Sequence, residues 1–143
     1  MTNRSRSQME ELIRMTPNPE RAKNILQQVK LRLKDASNKD PAEFATLILE
    51  AHYEVIKELT TALLAIDGYK TLSHLALIQY LREKYPTDFT EQEIRSIDDL
   101  RKIRNRIAYE GFMITEDIFS RKEPITKRII SRLQVVVEKK LTA

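Results

Sequence analysis

The chain has 143 residues, enough for one domain with a real core and too few for two. Hydrophobic residues make up 41% and charged residues 32%, the balance of a globular chain and not of a disordered one. Cysteine is absent and histidine occurs twice, which excludes disulfides, a thiolate nucleophile and a His- or Cys-rich metal centre, so no metal and no cofactor is expected. The net charge of +4 is unevenly spread: residues 1–40 carry +4, 41–100 carry −6 and 101–143 carry +6. Such a pattern suits self-association or a basic face for a polyanion, and equally a mixed, solvated surface. There is no signal-peptide pattern and no apolar run of membrane length, so a cytoplasmic location is expected.

From the start of the chain, Ser7-Gln8-Met9-Glu10 has the form of a capping box. With Met9, Leu12 and Ile13 it predicts a short helix in an N-terminal extension, residues 1–17. Asn18-Pro19 pairs an N-cap with proline at the first helical position. Ala22, Ile25, Leu26, Val29, Leu33 and Ala36 then form one stripe to about Ser37. Asp40-Pro41 opens the next helix in the same way, and that helix is expected to run to Ile66 and end at Gly68. Its polar arc is narrow, so it is expected to be central and packed on two sides.

Ser73 caps a helix through about Tyr85, with Pro86 just beyond. Thr90 to Glu93 is a second capping box, opening a helix that ends at Gly111. Thr115 starts a last helical region that Pro124 is expected to kink or restart, with Ile125, Ile129, Leu133 and Val136 closing the stripe. Two glycines are far too few for the turns of a β protein of this length. The expectation is all-α: an antiparallel helical bundle of four main helices plus short extra helices, in one domain spanning 1–143.

Two polar residues interrupt these stripes. Ile94, Ile97, Leu100, Ile103 and Ile107 span one helix face, and Arg104 falls inside that arc. Asn105 lies at its edge, and Tyr109 shares a face with Asn105, four residues on. A buried, unpartnered guanidinium is prohibitively costly, so Arg104 must meet a carboxylate, line a wet cleft or sit at an interface. His52 sits in the same way among Ile48, Val55, Leu59 and Leu63. Each residue is open to a structural reading, as an ion pair or a satisfied core histidine. If both faced one cleft, an anion such as phosphate would explain them together.

The stretch Arg104-Asn105-x-x-x-Tyr109 resembles the signature of the HEPN superfamily: an Arg, often followed by Asn, with a His five residues after the Arg. The resemblance covers roughly residues 20–140 and includes the signature's position near the end of the penultimate long helix. Gly68 to His74, ahead of a helix, is similar to prokaryotic HEPN-like proteins as well. The resemblance implies a homodimer whose two signatures line one cleft, and metal-independent ribonuclease chemistry. It also implies a toxin–antitoxin setting, with a minimal nucleotidyltransferase as partner. Carried over, Arg104 is the phosphate-binding Arg and Asn105 its polar neighbour. Arg101 and Arg106 on the same helix are further candidates for phosphate contact, expected to point more outward into solvent.

Tyr109 stands where the family has its His. A phenol titrates near pH 10 and is a poor proton shuttle at neutral pH. A nuclease therefore needs His52 or His74 as substitute. The Tyr that some relatives carry two residues after the His is replaced by Gly111. Four functions stay open: an RNA-phosphate-binding module with catalysis weak or lost, a binding partner of a nucleotidyltransferase, an active ribonuclease using His52 or His74, and a helical adaptor without ligand. Phosphate-loop, zinc-protease and triad-hydrolase patterns are absent.

Overall fold

The structure is a computed structural model that describes residues 11–143. Among these it has five helices and one minimal sheet. The elements are β1 (Ile13–Arg14), α1 (Pro19–Ser37), α2 (Pro41–Asp67), β2 (Tyr69–Lys70), α3 (His74–Lys84), α4 (Glu91–Glu110) and α5 (Glu116–Thr142). The expected all-α class holds, with four long helices and the 11-residue α3. No described helix is long and apolar enough to cross a membrane.

Local chemistry sets the helix ends. The side chains of Asn18, Asp40, Ser73, Thr90 and Thr115 each accept a backbone N–H in the first turn of the helix that follows. Thr90 and Glu93 complete a reciprocal capping box. Gly68 (φ 89°) and Gly111 (φ 67°) close α2 and α4 in the left-handed conformation that a side chain disfavours.

The long helix α2 holds the core together. Val55, Leu59, Ala62 and Leu63 are fully buried in it. Its main packing partners are α1, which doubles back after the connection 38–40, and α5. The shorter α3 lies against α4, and α4 covers another flank of α2.

Two expectations fail. The short N-terminal helix does not extend to Ile13, because Ile13 and Arg14 pair antiparallel with Lys70 and Tyr69. The extended chain has a physical task there. Met15 N donates to Gly68 O at 2.9 Å and Asn18 N donates to Ala65 O at 2.8 Å, so it supplies donors to the buried carbonyls at the C-terminal end of α2. A Cβ at Gly68 would stand 2.9 Å from Met15 O, so the close approach also needs that glycine. The expected capping box Ser7–Glu10 lies outside the described residues. Second, α5 is one continuous helix through Pro124, so the proline does not restart it. Pro124 and Ser120, whose carbonyl loses its helical donor, are both on the exposed side, where that carbonyl is open to solvent.

Candidate functional site

Tyr53 occupies the middle of α2, is 2% exposed, and its hydroxyl lies 3.0 Å from Nδ1 of His74 at the start of α3. Their rings are tilted at 45° with centroids 5.8 Å apart. Burial pushes the Tyr53 hydroxyl up to about 12, against the pull of Arg101 and Arg104, so it keeps its proton. Burial lowers the His74 pKa, with the cations Lys57, Arg104 and Arg101 acting in the same direction, so His74 is neutral at pH 7.

The tautomer of His74 sets the direction of this bond. With Tyr53 as donor its hydrogen is satisfied, and the neutral imidazole then carries its own hydrogen on Nε2 and presents a donor and no basic nitrogen.

Arg104 stands close enough to this pair to act on both titrations. It is half-buried, and among the described residues it forms no salt bridge and no side-chain hydrogen bond. Its neighbours on α4 are engaged. Arg101 is held by Asp98 at 2.9 Å and its side chain is only 16% exposed. Arg106 is exposed, covers the Phe112 ring at 4.0 Å and lies 3.4 Å from Glu110. On α2, Lys57 pairs with Glu54 at 2.9 Å. The expectation that Arg101 points outward into solvent is thus corrected: it is partly buried and ion-paired.

Asn105 is half-buried, and Tyr109, in the last turn of α4, is 80% exposed. His52 does not join them. It is 6% exposed, stacks on Phe119 of α5, and takes its charged neighbours from α5 as Glu123 and Lys127. One residue step along a helix turns about 100°, which sends His52 toward α5 while Tyr53 faces α3. His52 and Arg104 therefore share no cleft, and the sequence grouping of those two is replaced by Tyr53, His74 and Arg104. Tyr53 was hidden from sequence reasoning because a tyrosine within an apolar stripe looks like core.

A second polar cluster closes on itself. Asp67, the last residue of α2, accepts from Tyr80 Oη, from Tyr85 Oη at 2.8 Å and from Lys140 Nζ. Lys140 also donates to Tyr85 Oη at 2.9 Å. These bonds hold the Asp67 carboxyl below its usual range despite partial burial, while burial and then the bonds to Asp67 push both phenols up. The one sequence hint was an acid at a helix C-terminus, where the dipole disfavours it. Among the described residues no group of acidic and histidine side chains is arranged to hold a metal. No family model matches the chain, and comparison with curated proteins and with solved structures finds no match.

Proposed function

We propose that the chain is a HEPN-like module that binds the phosphate backbone of single-stranded RNA, with catalysis weak or lost. The observation that carries this reading is Arg104: a half-buried guanidinium that forms no salt bridge among the described residues, beside ion-paired Arg101 and a neutral His74. A phosphate supplies the charge-assisted bonds that Arg104 lacks. His74 Nε2–H adds a neutral donor. Asn105 and the exposed Tyr109 extend the surface, one by hydrogen bonding and the other by stacking on a base.

Proton transfer is where the site falls short. A general base must take the ribose 2′-hydroxyl proton, and the His74 nitrogen that would do so is held by Tyr53. Tyr109 cannot replace it at pH 7. The second reading, an endoribonuclease using His74, rests on its closeness to Arg104 and requires that the bond to Tyr53 reverse or break.

The assembly in this proposal is a homodimer through the C-terminal end of α4. Tyr109 and Met113 (72% exposed) lie there, and Ile114 N donates to Thr46 Oγ1 at 3.0 Å, next to the half-exposed Leu47. The toxin–antitoxin setting belongs to the same proposal.

The test combines binding and cleavage. Fluorescence anisotropy with a single-stranded oligoribonucleotide in low salt should show saturable binding by the wild type. In EDTA a gel should show cleavage barely above background, as expected where acid–base catalysis, worth roughly 10²–10⁴-fold, is missing. Strong cleavage abolished by His74→Ala would promote the nuclease. No binding at all would move the nucleotidyltransferase-partner reading ahead.

A further inference from the structure

On the side of α2 that faces away from Tyr53, a groove of about 410 Å³ opens between the last turns of α1, the first half of α2 and α5. Its lining is amphipathic. Leu33, Ile48, Phe119 and Ile130 give it an apolar wall, and its charged lining is one carboxylate, Glu123, against two cations, Lys39 and Lys127. The volume lies within the range of small-molecule sites, roughly 300–1,000 Å³.

His52 lines this groove and is 6% exposed. Among the described residues neither of its ring nitrogens has a hydrogen-bond partner, and no side-chain polar atom that is wholly buried lacks one. The nitrogens must therefore keep access to the groove. The ring is fixed beside Phe119, with centroids 6.1 Å apart and planes at 29°. Burial lowers its pKa, so at pH 7 it offers one donor and one acceptor. Of the two lysines, Lys127 is only loosely paired, 3.5 Å from Glu123, with its side chain 63% exposed. Lys39 pairs with the exposed Asp35. Such pairs contribute little and give way to a better anion.

We propose that this groove binds a small aromatic carboxylate. The ring packs on Phe119 and the aliphatic wall, a hydroxyl or ring N–H bonds His52, and the carboxylate reaches Lys127 and Lys39. The site is independent of the Arg104 face and does not rest on the RNA reading.

An NMR titration of the ¹⁵N-labelled full chain tests it, with 4-hydroxyphenylacetate as probe and the neutral 4-hydroxyphenylacetamide as control. The acid should bind with a Kd of about 0.1–1 mM, the affinity that a dozen non-hydrogen atoms can reach. Shifts should concentrate in residues 33–39, 48–52 and 119–134. The amide should bind about tenfold more weakly, and Lys127→Ala should weaken the acid about three- to tenfold. His52→Phe removes the ring nitrogens and should weaken binding about three- to tenfold; if that variant does not fold, Ser131→Trp at the exposed mouth should block the groove and remove binding. Absence of shifts at about ten times the upper Kd would overturn the proposal. So would equal binding of acid and amide, or an unchanged Kd in Lys127→Ala.

Discussion

The Asp67 cluster and the Arg104 face use the same kinds of side chain to opposite ends. Around Asp67, one carboxylate meets two phenols and an ammonium, and every charge has a partner within α2, α3 and α5. Around Arg104 lie Tyr53, His74 and the ion-paired Arg101 and Lys57, and the guanidinium forms no salt bridge among the described residues. The first arrangement is complete as it stands and ties the end of α5 to the end of α2. In the proposed reading the second becomes complete only when an anion arrives. A polar group in an apolar stripe thus has two fates, and the presence of an internal counter-charge decides between them.

The largest effect should come from opening the closed cluster. Asp67→Ala leaves Lys140 and two phenols without their acceptor and should cost about 1–3 kcal/mol of stability, the penalty of orphaning partly buried polar groups. A urea melt reads the loss, while RNA affinity measured below the transition should not move. An RNA defect equal to that of an Arg104 variant would erase the distinction between the two regions.

Acid separates the regions in a second way. His52 and His74 have folded-state pKa values below 6.5, with burial as the main cause. Between each folded value and 6.5 the unfolded chain binds more protons. Their contribution to stability is therefore complete above pH 6.5 and is lost as pH falls through the folded values. Asp67 also has a lowered pKa, below 3.8, so its contribution is present above 3.8 and is lost as pH falls further. Stability against pH should show two acid-side losses. His74→Gln should shrink the first, and Asp67→Ala should shrink the second, to which Glu93 and Asp98 also contribute. A flat profile from pH 7 to 5 would contradict the burial of both histidines.

A subtler expectation concerns the direction of the Tyr53–His74 bond. Long-range ¹⁵N–¹H spectra at pH 7 should show His74 with its hydrogen on Nε2, and Tyr53→Phe should release the ring into a mixture of tautomers. A wild type with the hydrogen on Nδ1 would free Nε2 as a base and favour the nuclease reading. Smallest of all is Tyr109→His. The position is so exposed that stability should change by no more than about 0.5 kcal/mol. In EDTA the variant should gain metal-independent cleavage that Arg104→Ala then removes.

These regions differ in how far the sequence disclosed them. Helix ends were legible because their causes are local: Asn18 before Pro19, the Thr90–Glu93 box, and glycines just past the last apolar residues. The oddity of Arg104 was legible for the same reason, as a charge out of phase with its helix. Its surroundings were not. Tyr53 and His74 are 21 residues apart and Lys140 and Asp67 are 73 apart, and such pairings follow from packing, which periodicity does not encode. Pairing His52 with Arg104 failed because each stripe shows that a residue faces inward, without saying toward which neighbour. The β1–β2 pair was missed because two-residue strands carry no periodicity of their own.

In the proposed reading Arg104 awaits a phosphate. The direct measurement is the affinity of wild type and Arg104→Ala for single-stranded RNA across a salt series. In low salt the variant should bind at least about tenfold more weakly, and the slope of log K against log salt should drop by about 0.7, one phosphate contact on a single strand. Its thermal midpoint should stay unchanged, and Arg106→Ala should alter affinity less than about twofold. Unchanged low-salt affinity in Arg104→Ala would contradict the claim and make that guanidinium a structural feature of α4.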